Sequence, residues 1–420
     1  MKKRKILHFL ILFYIFLSCN EQKDYEHGRI DLKSGFENNE LKLLSDVAED
    51  IEYVFFETND KCLMSAIDKV VYDPPYYFVM DDRQKHIFIF DETGKFENTI
   101  SAVGQGPHDY TYIDDFDVHE NILYILDRSL KKILKYEMNG KCSGTFVTKN
   151  KESASGIKVN NEGSILLAIR NDYLITFEGD EIPEHIDAST KYKREGFIFS
   201  EYDRDFNFKR KFKYMKYMDW DFSYLTSNFY SQKDTLVYWE YNIFDTVYTI
   251  LPDGNTKARY ILDPGKLKPT LIIKREDGNK VFPSLFKITN IVETDDLLFL
   301  SGIYKLYATK LLYNNKENKT TGIEESLMND IDGGISFWPS FKLSDNKVGR
   351  SFYPDKIKDY IKRSAAELKK GNEFYKTYKP KVDYDKEKHK KLLEQLEKTD
   401  DMSNPVLMIV TMKSNSNHEE

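Results

Sequence analysis

Two stretches decide the fold. The first runs Phe78-Val79-Met80-Asp81, His86-Ile87-Phe88-Ile89-Phe90-Asp91 and Gly94-Lys95-Phe96. The second runs Tyr124-Ile125-Leu126-Asp127, Lys132-Ile133-Leu134-Lys135-Tyr136 and Gly140-Lys141. They superpose at an offset of 46 residues, with Asp81 on Asp127, Ile87 on Ile133, Phe90 on Tyr136 and Gly94 on Gly140. Each reads as a strand, a short polar turn, an alternating strand, a glycine turn and a further strand. A period of about 40–50 residues made of four strands is the pattern of propeller blades, because one such sheet cannot bury its faces alone and stacked neighbours can.

Weaker copies follow. Residues 155–171 read as two strands, and a polar insert (172–194) precedes a resumption from Phe197 to Phe212. Further units lie at 235–262 and 285–326, and a sixth starts near Ile335-Ser336-Phe337-Trp338. Ile51–Phe56 is a strand before the first repeat, and Pro405–Val410 is a strand after the last. Pairing both within one blade would close the ring and remove exposed edges. The expected fold is therefore all-β, a six-bladed β-propeller over 46–420. The spacing of Ile357, Tyr360, Ile361, Ala365 and Leu368, and of Leu392, Leu393 and Leu396, predicts two amphipathic helices inserted in the last blade at about 355–400. They are expected to dock on the propeller rim, with a partner-binding arm as the alternative.

The chain of 420 residues is 31% charged and 14% aromatic, with 29 Tyr and 28 Phe against 3 Trp, which supports a large core rather than disorder. Its formal charge is −7, and a chain starting at Cys19 loses four cations (Lys2, Lys3, Arg4, Lys5) and stands at −11. An acidic chain is a poor partner for nucleic acid, whose phosphates need basic patches.

Those four cations precede an apolar run from Ile6 to Leu17, too short to span a bilayer comfortably. Residues 1–18 thus read as a signal peptide. Phe16-Leu17-Ser18-Cys19 resembles the lipobox of bacterial lipoproteins, in which the cysteine is acylated, so Cys19 is the expected lipidation site and 19–45 a flexible tether to the membrane. Glu21 and Asp24, close behind, accord with export to the surface of the outer membrane. Cys62 and Cys142 lie 80 residues apart, and spacing leaves their pairing open.

The whole pattern resembles the six-bladed β-propeller lipoproteins of Bacteroidetes, related in fold to NHL-repeat propellers. The matching elements are the lipobox, the strand ending Phe56-Glu57-Thr58, the strands at 76–100, Asp332-Gly333-Gly334 before Phe337-Trp338-Pro339, and Asn404-Pro405-Val406-Leu407. The most specific match is the loop Gly104-Gln105-Gly106-Pro107-His108-Asp109-Tyr110, where Gly104, Gly106, Pro107 and Tyr110 keep the Gly-x-Gly-Pro-Gly-Glu-Tyr pattern while His108 and Asp109 replace Gly and Glu. The resemblance implies an architecture and a cell-envelope context, and no activity.

Candidate chemistry is sparse. The glycine loop lacks a Walker lysine and serine and reads as an inter-blade turn whose glycines supply positive φ. Asp114, Asp115, Asp117 and His119 are the candidate metal ligands, with Ca²⁺ the ion considered, but the regular spacing and glycine turn of a calcium loop are missing. Asp330 and Asp332 carry the same thought and the same plainer reading as a turn. There is no Gly-x-Ser-x-Gly and no His-Glu-x-x-His, and only His86, His108, His119 and His185 fall in the propeller. No catalytic residue is assigned. The expected function is a non-catalytic propeller, lipid-anchored in the outer membrane, that binds a glycan, peptide or envelope protein. The alternatives are a metal-dependent lactonase- or lyase-like enzyme with its site in the channel, and a structural subunit of an envelope complex.

Overall fold

The computed structural model describes residues 28–148, 154–169, 173–177, 192–218, 227–240, 246–263, 265, 286–304, 307–370 and 384–413. Its strands form six sheets, the blades of a propeller. From the centre outward, blade 1 is Lys69–Asp73, Tyr76–Asp81, His86–Asp91 and Phe96–Ile100; blade 2 is Asp115–His119, Ile122–Asp127, Lys132–Glu137 and Cys142–Val147. Blade 4 is built on Ser227–Gln232, Thr235–Glu240, Thr246–Ile250 and Thr256–Asp263, and blade 5 on Phe286–Glu293, Leu297–Tyr304, Tyr307–Asn314 and Lys319–Ile323.

The middle strands are apolar at nearly every position because each sheet is covered on both sides. Phe78, Ile87 and Ile89 face Phe116, Leu123 and Leu134 of blade 2, while Val79, Phe88 and Phe90 face Leu407 and Ile409 of blade 6. Alternate side chains thus serve opposite interfaces, as the two-residue period of a strand requires.

The aspartates that mark the repeat are buried clamps. Asp81 accepts from the Ser65 amide (2.5 Å) and hydroxyl, the Ala66 amide (3.2 Å) and the Gln84 amide (3.1 Å). Forty-six residues on, Asp127 accepts from the Thr111 amide (2.6 Å) and hydroxyl, the Tyr112 amide (3.4 Å) and the Leu130 amide (2.8 Å). Each carboxylate ties the entry of the inner strand to the turn after the second strand. Burial alone would push the Asp81 carboxyl up, but hydrogen bonds from Gln84 and Ser65 outweigh it and hold it below the usual range.

Blade 3 departs from the expectation. Its inner strand is Ala154–Val159, followed by Ile165–Ile169, Tyr192–Tyr202 and Phe208–Met218. The far half of Tyr192–Tyr202 pairs with Tyr173–Phe177, so both ends of the stretch expected as a polar insert continue the hairpin past the other blades. Residues 178–191 lie outside the described residues.

Blade 6 closes the ring. Phe341–Lys342, Lys347–Phe352 and Val406–Met412 come from the end of the chain, and Ala48–Phe55 supplies the outer strand, with Val406 opposite Phe55 and Thr411 opposite Asp50. The sixth unit starts later than expected. Phe337 is taken up in a bridge to Leu327, and Pro339, which has no amide to donate, follows before the inner strand begins.

The stretch expected as a tether is, from residue 28 onward, a belt. Arg29–Asp31 adds a parallel strand to the outer edge of blade 4, and Asn39–Glu40 does the same on blade 5. Between them α1 (Leu32–Glu37), capped by Asp31, packs Leu32 into the apolar layer between those blades. The pattern is too short and too polar to announce strands, because its partners are backbone edges rather than an apolar face. Residues 19–27, including Cys19, lie outside the described residues.

The two inserted helices, α2 (Pro354–Lys370) and α3 (Lys386–Glu397), connect the second and third strands of blade 6. Ile357, Leu392 and Leu396 are buried against Val406, with Tyr53, Phe55, Ile335 and Phe352 around them. Ile357, Ile361, Leu392 and Leu396 of the predicted stripe are thus docked on the blade, while Leu393 is exposed and the side chains of Ala365 and Leu368 lie outside the described residues. Among the described residues no helix is long and apolar enough to cross a membrane.

Asp127→Ala is expected to lower stability by about 2–4 kcal/mol, since several buried donors lose one shared acceptor; urea unfolding measures it. Asp81 binds its proton less tightly folded than unfolded. Its contribution is complete above the ordinary carboxylate range and is lost as the pH falls through its lowered folded value. Asp81→Asn should therefore flatten the acid limb of the stability-against-pH curve.

Candidate functional site

The two faces of the ring are built differently. Inner strands all enter from one face, so the connections divide cleanly. On one face lie the turns 74–75, 120–121, 160–164, 233–234, 294–296 and 343–346, and the turns 92–95, 138–141, 203–207, 251–255 and 315–318. None exceeds five residues. Glu120, Asn121, Lys233 and Asp234 all have positive φ, the conformation that two-residue hairpin turns demand. The turns knit across the channel mouth: Asn161 donates to Asp234 (2.8 Å), and the Lys233 amide donates to Asp345 (3.0 Å).

The opposite face carries the longer described connections. Blades are joined there by 56–68, 101–114 and 324–340, and the two inserted helices leave from and return to it. Leu63, Val103, Tyr112, Ile303, Tyr307 and Met402, all exposed, lie on these connections or the strand ends beside them, with Tyr307 at 77% and Met402 at 65%. Lys85 sits over the Tyr112 ring at 3.8 Å. A cavity of about 530 Å³ opens beside α3, lined by Phe55, Thr58, Gln395, Asp400, Met402 and Asn404. Asn404 itself is a latch. It accepts from the Met64 amide (2.7 Å) and donates to the carbonyls of Glu57 (2.7 Å) and Cys62 (2.8 Å).

The candidate metal ligands are placed along one inner strand and its approach, but each is engaged separately. Asp114 pairs with Arg128 at 3.1 Å; burial raises its carboxyl, and Arg128 only partly offsets this. Asp115 meets Lys69 at 2.5 Å and accepts from the Ile157 amide at 2.9 Å. Asp117 meets Lys158 at 2.7 Å and accepts from the Val159 amide at 2.7 Å. The innermost strand of a sheet has an unpaired edge, and these two carboxylates satisfy the edge amides of the next blade. His119 stands apart, its Nε2 4.0 Å from Glu120. Among the described residues no three His, Cys, Asp or Glu side chains converge as a ligand set.

Asp330 accepts from the Ser45 amide at 2.9 Å, fastening the belt, and Asp332 accepts from Asn329 (2.6 Å) and the Gly334 amide (2.8 Å). Asp332 thus serves its own turn, and Asp330 a long-range tie to Ser45. Cys62 and Cys142 are free thiols; Cys62 is buried.

The Gly104–Tyr110 loop joins blades 1 and 2. Tyr110 is fully buried, its hydroxyl 2.8 Å from the Lys85 carbonyl and 3.0 Å from that of Ile100. Pro107 sits at the turn tip, where Asp109 donates its amide to the Gly106 carbonyl (3.2 Å). The glycines have a different reason from the one expected. Neither Gly104 nor Gly106 has positive φ. The Asp109 carboxylate, which accepts from the Gly106 amide at 3.0 Å, would stand 2.4 Å from a Cβ at 104 and 2.6 Å from one at 106. Sequence reasoning also used Asp81 and Asp127 only as register marks; their recurrence at 46 was the signal for the clamp. The buried Arg259–Glu293 pair (2.7 Å), joined by Tyr230 and Tyr260, had no local signal.

A family model described as a domain of unknown function (DUF4934) matches residues 27–411. A protein from Bacteroides fragilis NCTC 9343 described as exported is similar in structure, with a TM-score of 0.62 at 16% identity over 92% of this chain and 99% of that one. A DUF4221 member from Bacteroides vulgatus gives 0.41 at 10% identity, covering 68% and 86%, and a virginiamycin B lyase from Staphylococcus aureus gives 0.36 at 11%, covering 65% and 73%. Comparison with curated proteins finds no match.

Gly106→Ala is expected to destabilise the chain by about 1–3 kcal/mol through the clash with Asp109. In an Asp109→Ala background the same change should cost markedly less, a coupling that a double-mutant cycle in urea measures.

Proposed function

This chain belongs to the DUF4934 family, and we propose that it is a non-catalytic binding propeller of the cell envelope. It presents the face with the long connections to a glycan, peptide or envelope protein. One observation supports this reading: among the described residues every connection longer than five residues is on one face, and most of the large exposed apolar side chains are there. Rigid sheets with minimal turns form a scaffold, and loops held by such a scaffold are where binding surfaces are built. Tyr112 and Tyr307 supply broad, stiff contact area at low entropic cost.

Export and anchoring fit the same picture. A signal peptide over 1–18 and an acylated Cys19 would hold the chain to the outer membrane. The belt strand Arg29–Asp31 runs parallel to Thr256–Asp263, from the short-turn face toward the other. A lipid attached before it would lie on the short-turn side, leaving the binding face turned away from the membrane.

Cys19→Ala is expected to move the protein from the membrane fraction to the soluble fraction and to abolish incorporation of labelled palmitate. Retention in the membrane without that cysteine would overturn the anchor. For binding, glycan and peptide arrays probed with the 20–420 chain should show ligands whose signal falls at least tenfold in Tyr112→Asp or Tyr307→Asp. Glu120→Lys on the opposite face should leave them unchanged. Equal loss from either face would refute the assignment.

A further inference from the structure

Several of this chain's buried or half-buried cations are ion-paired. Arg259 meets Glu293 at 2.7 Å, Lys158 meets Asp117 at 2.7 Å and Lys69 meets Asp115 at 2.5 Å. Among the described residues Lys310 and Arg350 are not ion-paired, and neither is Lys213, which rests over the Tyr248 ring at 4.2 Å. Lys310 lies on the third strand of blade 5 and Arg350 on the second strand of blade 6, both near the face with the long connections. Each is half-buried, and among the described residues neither forms an ion pair. The Lys310 ammonium donates to the Ser326 hydroxyl at 2.7 Å and stands over the Trp338 ring at 6.0 Å. Arg350 donates to the Trp338 carbonyl at 3.3 Å and lies over the Phe352 ring at 5.2 Å. Trp338, buried, is held by its own donation to Ser301 at 2.9 Å. Both cations are thus held by neutral groups, Lys310 beside the Trp338 ring and Arg350 at the Trp338 backbone carbonyl.

Burial pushes the Lys310 ammonium down to about 8, and the charge of Arg350 pushes it the same way, with Glu325 opposing. The two like charges therefore repel each other where both are partly desolvated. Holding them so costs stability unless an anion completes the site, because buried charge is kept where it is paired or binds. The net charge of −7 means that no general cationic field explains them. The guanidinium offers a planar fork and the ammonium a point charge, a set that suits a tetrahedral or planar oxyanion.

We propose that Lys310, Arg350 and the Ser326 hydroxyl form an oxyanion subsite between blades 5 and 6, taking a phosphate, sulfate or carboxylate group. In naming that group as part of the ligand held by this face, the inference rests on the binding reading above.

The test uses the 20–420 chain, melted in sodium sulfate, phosphate or acetate against sodium chloride at matched ionic strength. The expected result is an anion-specific rise in Tm in the wild type, following mass action. The rise should vanish in Lys310→Met and in Arg350→Met, with affinity on the order of tenfold weaker or worse, as loss of a charge-assisted contact implies. The ligand-free Lys310→Met protein should melt at or above the wild type, since one of two repelling charges is gone. A merely structural lysine would give a lower Tm instead. An anion-specific rise of the same size in both variants, or none in the wild type, would overturn the subsite. A sulfated disaccharide separates the sources: binding tighter than inorganic sulfate assigns the group to a glycan, and equal binding assigns a free ion. If the variant-sensitive rise persists while no array ligand depends on Tyr112 or Tyr307, the subsite stands and the binding reading falls. If array ligands depend on those tyrosines and the anion effect ignores both substitutions, the reverse holds.

Discussion

Ala48–Phe55 lies against Val406–Met412, and this one antiparallel pairing joins the beginning of the propeller to its end. Without it blade 6 would keep a bare outer edge, and the layer holding Val54, Leu407 and Ile409 against Phe88 and Phe90 would lose a wall. The pairing is reinforced at its top by Asn404, whose amide group binds three backbone positions between Glu57 and Met64. It is also covered from outside by α2 and α3, whose buried residues reach Tyr53 and Phe55 on the closing strand. Contacts more than 340 residues apart in the chain thus converge on one seam. The ordering cost of bringing two chain ends together is met at a single place by ladder hydrogen bonds, a side-chain latch and an apolar cover.

The same concern with edges explains two features that looked like chemistry or like nothing. Asp115 and Asp117 read as candidate ligands, yet they face the unpaired inner edge of the next blade and accept its amides. The belt before residue 48 reads as tether, yet it adds strands to the outer edges of blades 4 and 5. Inner and outer edges are thus satisfied by different means: side-chain carboxylates in the crowded channel, extra backbone on the open rim. A consequence is that Asp115 and Asp117, the channel carboxylates read as ligands, are already engaged by amides and lysines.

The two faces differ in what they do for the scaffold. The short-turn face is held by positive-φ hairpins and cross-channel hydrogen bonds. The other face exposes aromatic side chains, contains the 530 Å³ cavity by α3, and holds Lys310 and Arg350, which form no ion pair among the described residues. Features that cost stability gather where the scaffold does not need them, as expected of a surface kept for recognition.

The repeat at 46 residues, the alternating strands, the two helices and the closing strands were legible from sequence, because each is a periodicity imposed by burying side chains on a repeating backbone. The pairing of Asp81 with Asp127 in the repeat was legible as pattern, though not as clamp. What only the tertiary structure decided depends on backbone edges and on neighbours far away in the chain. A strand such as Arg29–Asp31 is recruited by the amides it covers, and it leaves no apolar period behind. The glycines of the Gly104–Tyr110 loop answer to a carboxylate pressed against them rather than to their own φ. Lys310 and Arg350 sit on separate strands of separate blades, and neither local sequence says that its charge will be desolvated beside the other. Periodicity records what a segment buries; which charges meet is settled only when the ring closes.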